Sequence, residues 1–228
     1  MFKLTRSYNW LIFKLINPEL EKRLKQYASG KLLDIGCGEK PYAQMAAPFI
    51  DEHIGVDYED TAHDQTNIDL YGTAYEIPVE NNAYDTILCT DVLEHLAEPM
   101  RAVKEAFRVL KPGGYAIYTV PLFWHLHEEP HDYYRFTKYG LDYMFKENGF
   151  DVIEIKALSG FFATFGQEFA YFLNSLRRGG RRNPLWWIIP PIALMVQGVA
   201  FLLNKIEHSK RFTMEYIAVL KKPGNSSE

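Results

Sequence analysis

Cysteine is nearly absent: Cys37 and Cys89 are the only two in 228 residues, and neither stands in a Cys-x-x-Cys pair or a Cys/His zinc spacing. This excludes a disulfide framework and a structural zinc, and a reducing, cytoplasmic setting is expected. Also missing is the third glycine of a dinucleotide fingerprint. After Gly36 and Gly38 in LLDIGCGEKPY, the position three residues on is Pro41. That glycine normally allows close strand–helix packing under a pyrophosphate, so its absence argues against a nicotinamide cofactor. The basic, apolar N-terminus has Lys14 inside its apolar run and no small-residue cleavage site after it, so it is not read as a signal peptide.

Acidic residues are missing where the chain is most apolar. Residues 1–16 hold Lys3, Arg6 and Lys14 without an acid, and residues 177–211 hold seven Lys/Arg against Glu207 alone, although the whole chain carries a net charge of −4. The rest is therefore strongly acidic, which excludes nucleic acid as its main partner. The length suits one α/β domain with insertions. Aromatic residues make up 15% and concentrate outside the glycine-containing region.

From residue 30 to 156, short apolar runs alternate with helical stretches, the pattern of consecutive βαβ units and a mostly parallel sheet. KLLDIGC, HIGVDY, YDTILCT, YAIYTVP and DVIEIKAL read as strands, and EYIAVLKK, 215–222, reads as the last one. EPMRAVKEAFRVLKPGG reads as a helix stopped at Pro112-Gly113-Gly114, and TKYGLDYMFKENGF as another. The expected organisation is a helical segment over 1–29, a cofactor-binding core over 30–158, a hydrophobic insertion over 159–212, the last strand over 213–223 and a loose tail over 224–228.

Open α/β sheets bind ligands beyond the carboxyl ends of their strands, where the strand order switches. Gly36 and Gly38 let a ligand lie against backbone there. Asp57 closes the second strand nineteen residues beyond Gly38, the spacing of a carboxylate that accepts hydrogen bonds from ribose hydroxyls. Adenosine without a pyrophosphate satisfies both observations.

LLDIGCGEKPY, the VD that ends the second strand, YDTILCTDVLEHL and EAFRVLKPGGYAIYTVP, in that order, resemble class I S-adenosylmethionine-dependent methyltransferases across residues 31–156. The resemblance implies a doubly wound, Rossmann-like α/β fold: a seven-stranded, mostly parallel sheet of order 3-2-1-4-5-7-6 with an antiparallel last strand. It implies S-adenosyl-L-methionine as cofactor. Asp34, Gly36, Cys37 and Gly38 would form the first cofactor motif, Asp57 and Tyr58 would serve the ribose, Asp69 would flank adenine, and Thr90 and Asp91 would line the cofactor. His95 would sit near the transferring methyl. The link DLYGTAYEIPV is longer than the usual one after Asp69.

The run PLFWHLHEEPHDYYRFT, residues 121–137, follows the fifth strand of the sheet and so opens onto the same pocket. Its H-x-x-P-H-D-Y-Y-R-F-T resembles an acceptor-side loop of a methyltransferase subgroup associated with bacterial cell-surface polysaccharide and lipid biosynthesis. His127, Asp132, Tyr133 and Arg135 match it. His131 and Tyr133 are taken as acceptor contacts. Arg135 either binds an acceptor anion or pairs with an acid of its own loop. His95 and His127 are the candidate bases for an acceptor hydroxyl, with Asp132 orienting one of them. His125, His127 and His131 with Glu128, Glu129 or Asp132 could in principle collect a divalent metal, but no i, i+4 His pair supports it and no metal is assigned. Asp85 and Glu94 are given capping or pairing roles only.

Leu185 to Asn204 is twenty residues without a charge, but Pro190-Pro191 is expected to break it and leave a helix of about fourteen residues. Trp186 and Trp187 beside four arginines, and Trp10, Phe13 and Lys14 near the start, suit headgroup-level anchoring. Peripheral membrane contact through residues 1–16 and 177–205, on the cytoplasmic face, is expected. A helical lid or dimer interface buried against the domain is the alternative, and the oligomeric state is left open.

The function that follows is methyl transfer to an oxygen of a small, glycan or lipid-linked acceptor. Two alternatives stand beside it: a membrane-attached protein that keeps the cofactor fold without catalysis, and a nicotinamide oxidoreductase on the same sheet.

Overall fold

A computed structural model of the chain describes residues 8–59, 65–177 and 180–224, the side chain at position 181 excepted. After helix α1 (Trp10–Tyr27), strand β1 (Lys31–Ile35) leads through a glycine turn to the short helix α2 (Ala43–Ala46), then to β2 (Glu52–Asp57) and β3 (Leu70–Tyr71). β4 (Tyr84–Thr90), α3 (Pro99–Val109), β5 (Leu110–Pro121), α4 (Lys138–Glu147), β6 (Asp151–Ala157), α5 (Phe161–Ser175), α6 (Leu185–Asn204) and β7 (Glu215–Lys221) complete the order. The seven strands form one sheet, β3-β2-β1-β4-β5-β7-β6, as the resemblance implies. Residues 225–228 of the expected tail 224–228, and the basic residues Lys3, Arg6 and Arg178, lie outside the described part.

The chain divides into two units. The larger comprises Leu20–Pro121, Leu126–Lys156 and Tyr216–Glu228 and holds the sheet. Continuous apolar runs make its central strands buried on both faces: Leu32, Leu33, Ile87, Leu88, Ile117 and Val219 are sealed from solvent. Each such side chain contributes about 2 kcal/mol of burial.

Two boundaries differ from expectation. α3 ends at Val109, and Lys111-Pro112-Gly113-Gly114 belongs to β5, not to a helix stop. The pairing of β4 with β5 jumps from Tyr84↔Leu110 to Thr86↔Tyr115, so these residues form a bulge. Gly113 supplies its φ of +83°, and a Cβ on Gly114 would stand 2.7 Å from the Asp85 carbonyl. The second difference is α6, which runs unbroken through Pro190 and Pro191. Proline's fixed φ is helical, and here the ring clash falls on the first turn, where only Leu185–Ile189 stand ahead of it to be displaced.

The smaller unit comprises Met1–Glu19, Leu122–His125 and Ala157–Glu215. Its two long helices are packed inside out. α5 buries Ala163, Thr164, Gln167 and Ala170, and α6 buries Ile189, Ala193, Gln197 and Ala200. Gly166 lets the helices approach, since a Cβ there would lie 2.4 Å from that of Ala200. The buried amides bond to backbone: Leu11 N–H donates to Gln197 Oε1 at 3.1 Å, and Gln167 Nε2 donates to the Tyr8 carbonyl at 2.7 Å. Meanwhile Phe172, Trp187 and Leu202 are 57%, 64% and 62% exposed. A water-soluble helix pair normally does the reverse, with large apolar residues inside.

In the larger unit, Lys222 closes the end of the sheet. Its ammonium donates to the carbonyls of Phe107 and Leu110 at 2.6 and 2.7 Å and to Asn82 Oδ1 at 2.8 Å, placing positive charge where the helix dipole of α3 ends. Lys222→Met keeps the stem and removes three hydrogen bonds, so it should lower unfolding stability by about 2 kcal/mol in urea denaturation. An unchanged midpoint would show that water takes over the ammonium's partners.

Candidate active site

β1, β2 and β4 are neighbours in the sheet, and their carboxyl ends lie side by side at the switch in strand order. At the end of β1 the chain turns with φ of +68° at Gly36 and +47° at Gly38. A Cβ on Gly36 would lie 2.5 Å from Val92 Cγ2, so the turn requires glycine for space as well as for backbone angle. Asp57, closing β2, points at this turn. Gly38 N–H donates to Asp57 Oδ2 at 2.9 Å and Tyr58 N–H to Oδ1 at 2.8 Å. Each oxygen retains a lone pair for a further donor.

On the face that carries Asp34, the register sets it opposite Gly55. Its buried carboxylate accepts from His53 Nε2 at 3.0 Å. Burial raises its pKa, and the His53 hydrogen bond works against that rise. Cys37 and Lys40 fold onto Gly55, where a Cβ would meet Lys40 Cε at 2.4 Å and Cys37 Sγ at 2.6 Å. Burial first, then the charges of Asp34 and Asp57, push the Cys37 thiol up to about 12. Burial does the same for Cys89, and both cysteines are unoxidised thiols.

Asp69 is held by Gly55 N–H at 2.6 Å and by a close ion pair with Lys40. Burial acts to raise its pKa, but these two partners outweigh it and hold the carboxyl below the ordinary range. The carboxylate expected to flank adenine is thus engaged with β2 and the glycine loop. Tyr58 is half exposed. Thr90 ends β4 opposite Thr119, and Asp91 follows with φ of +54° while accepting from Thr119 Oγ1 at 3.2 Å. A non-glycine residue in that left-handed region is uncommon and marks functional turns.

Beyond β4 the structure gathers His95, His127, His131, Asp132, Tyr133 and Arg135. Tyr133 and Tyr134 N–H donate to the Glu94 carbonyl at 2.8 and 3.2 Å, stitching the 126–136 loop to the segment after β4. The rings of His95 and His127 meet edge to face with centroids 4.6 Å apart. His95 Nδ1 donates to the His131 carbonyl at 2.7 Å, whereas the His131 ring faces the Tyr133 hydroxyl at 3.1 Å. Burial first, then the neighbouring His95, lowers the pKa of His127, so its ring is neutral at neutral pH.

Asp132 orients this loop. Its buried carboxylate accepts from His127 N–H at 3.0 Å, lies 3.3 Å from His127 Nδ1 and takes both arms of Arg135 at 2.5 and 2.8 Å. Arg135 therefore pairs with the acid of its own loop. His125 does not join the group; it faces Glu168 at 3.1 Å in the smaller unit.

Glu94 corrects the sequence reading. Given only a capping or pairing role there, it is wholly buried, and neither carboxyl oxygen has a hydrogen-bond partner. Burial, reinforced by Asp91, raises its pKa well above the ordinary carboxylate value. The signal was present in the sequence: an acid inside the apolar VLEHL at a strand end has no solvent to reach.

The Arg135 fork, with burial opposing it, holds the Asp132 pKa far below the ordinary range. Its stabilisation is complete above the unfolded carboxylate value, about pH 4, and is lost only as pH falls through the lower folded value. Amide exchange across 126–136, corrected for intrinsic rates, should therefore stay slow down to about pH 4 in the parent chain and be fast at neutral pH in Asp132→Asn. Equal protection in the two would count against this role.

Residues 33–118 match the methyltransferase-domain family. A "Probable S-adenosylmethionine-dependent methyltransferase" of Mycolicibacterium smegmatis is 33% identical over 107 residues, 44% of this chain and 42% of that one. A ubiquinone biosynthesis O-methyltransferase of Coxiella burnetii is 29% identical over 144 residues, 58% of this chain and 59% of that one. The chain thus spans about half the length of the curated relatives it matches. In fold, it superposes with a TM-score of 0.58 and 19% identity on a Haemonchus contortus phosphoethanolamine N-methyltransferase bound to phosphomonomethylethanolamine and S-adenosylhomocysteine, covering 95% of this chain and 56% of that one. With the strand order, the bare glycine turn and Asp57 above it, these matches identify the chain as one that carries a class I S-adenosylmethionine-dependent methyltransferase domain, whose cofactor is S-adenosyl-L-methionine.

Proposed function

We propose that the chain transfers a methyl group to an oxygen of a small or lipid-linked acceptor at a membrane surface. The observation that carries the transfer reading is Asp57: a carboxylate aimed over a turn of bare backbone, with lone pairs left for a diol. When bound, the cofactor supplies a methyl on a positively charged sulfur, which keeps the bonding pair as the acceptor oxygen takes the methyl. Asp57 and the Gly36–Gly38 backbone bind and orient its adenosyl part. His95 and the neutral His127 stand beyond β4, where an acceptor hydroxyl needs somewhere for its proton to go. Asp132 fixes His127 through the loop backbone. Oxygen as the acceptor atom is supported by the O-methyltransferase named among the relatives.

The membrane reading rests on the smaller unit. Small and amide side chains inside and large apolar ones outside is the arrangement of helices that meet lipid. α6, at twenty residues, is long and apolar enough to cross a membrane by length and composition. α5, at fifteen, spans only about 22 Å, short of a hydrocarbon core of about 30 Å, so the pair suits a monotopic contact. Arg182, exposed between the helices, suits the headgroup level.

Two measurements test this. In titration calorimetry, Asp57→Ala should weaken S-adenosylmethionine binding by about tenfold or more, while His127→Ala should keep the affinity and lose turnover. Equal affinity in Asp57→Ala would displace the ribose from this carboxylate. In flotation with phosphatidylglycerol-containing vesicles, the parent chain should rise with the lipid, and a Phe172→Asp, Trp187→Asp, Leu202→Asp variant should remain below. A soluble parent chain would turn the apolar surface into a protein interface.

A further inference from the structure

The geometry points to a divalent transition-metal site formed by Glu94, His95 and His127. One donor atom from each residue lies within 4.8 Å of the others, and His95 Nε2 stands 3.9 Å from Glu94 Oε1. Ligands of one ion at metal–ligand bonds of about 2.0–2.2 Å are themselves about 3–4 Å apart. Side-chain rotation of an ångström or so therefore closes the set.

Three features favour an ion over accidental proximity. First, Glu94 is a fully buried carboxyl whose two oxygens have no hydrogen-bond partner, and buried carboxylates that are retained are paired or coordinate metals. Of the groups facing it, Arg135 and His95 are the ones that can carry the opposite charge. Asp91 and Asp132 carry its own sign, and the guanidinium of Arg135 forks onto Asp132. Second, His95 has a hydrogen-bond acceptor behind one nitrogen, and the His127 ring stands beside a carboxylate without a hydrogen bond to it. His95 Nδ1 donates to the His131 carbonyl, and His127 Nδ1 is 3.3 Å from Asp132 Oδ2. The backing of His95 fixes the tautomer and presents the other nitrogen's lone pair, as in metal-binding histidines. Third, Glu128 Oε2 lies 3.8 Å from His95 Nε2, offering a further oxygen from the rim of the loop.

Two imidazoles and a carboxylate suit Zn²⁺, Co²⁺, Fe²⁺ or Mn²⁺ better than Mg²⁺ or Ca²⁺, which prefer all-oxygen sets. Open coordination positions would remain for an acceptor oxygen. A hydroxyl held there loses its proton to water near neutral pH, so the two imidazoles would serve as ligands and neither need act as the base. This role rests on the methyl-transfer reading; ion binding does not.

Tag-free protein, stripped with chelator and titrated with Co²⁺, should bind one ion per chain with visible d–d absorption. Glu94→Gln and His127→Ala should each weaken binding about tenfold or more while leaving the circular dichroism spectrum intact. If Glu94→Gln does not fold, His127→Ala, on a partly exposed loop position, carries the test. No Co²⁺ binding by the parent chain, or undiminished binding by the variants, overturns the site. S-adenosylmethionine titrated separately keeps the two readings apart. Cobalt binding without it sinks methyl transfer alone, and the reverse result sinks the metal site alone.

Discussion

The hydrogen bond from Gly38 N–H to Asp57 Oδ2 is the constraint on which the rest of the site depends. It joins the carboxyl ends of two adjacent parallel strands at 2.9 Å and fixes a charge over the glycine turn. Parallel pairing sets β1 and β2 in register, glycine lets the chain fold back, and the carboxylate then holds the turn it is meant to serve. Binding surface and support are the same atoms. A ligand with vicinal hydroxyls finds the acceptor already oriented, without reorganisation of the loop.

The polar groups around it fall into two classes. Asp34 with His53 and Asp69 with Lys40 and Gly55 are paired groups packed against β2, and they hold the loop. Across the strand ends, Glu94 is not satisfied, and the imidazoles beside it are only partly screened. The unpartnered carboxyl thus lies on the side that faces the 126–136 loop. The separation is what a transfer site needs: one wall fixed, the other responsive to what enters.

Most of the fold was legible because hydrophobic runs and glycine punctuation are local signals. The strand order and the nineteen-residue spacing of Gly38 and Asp57 led to the turn and its carboxylate. Less local features were missed. The bulge at Lys111–Gly114 depends on register with β4, which a helix-stop rule does not contain. The unbroken α6 depends on how little chain precedes Pro190. The sequence marked Leu185–Asn204 as twenty residues without a charge but could not say that the small and amide residues of α5 and α6 would be the ones inside. The His-rich loop suggested His125, His127 and His131 as a group, but His125 faces Glu168, and His127 stands with Glu94 and His95 from outside the loop.

Cys37 lies between the two glycines of the turn, with its sulfur turned onto Gly55 and its proton retained to about pH 12. A sulfonium compound is an alkylating agent, and a thiolate is the nucleophile it attacks most readily. By keeping this sulfur protonated and packed on Gly55, the fold can hold a cysteine in a domain that uses such a compound without alkylating itself.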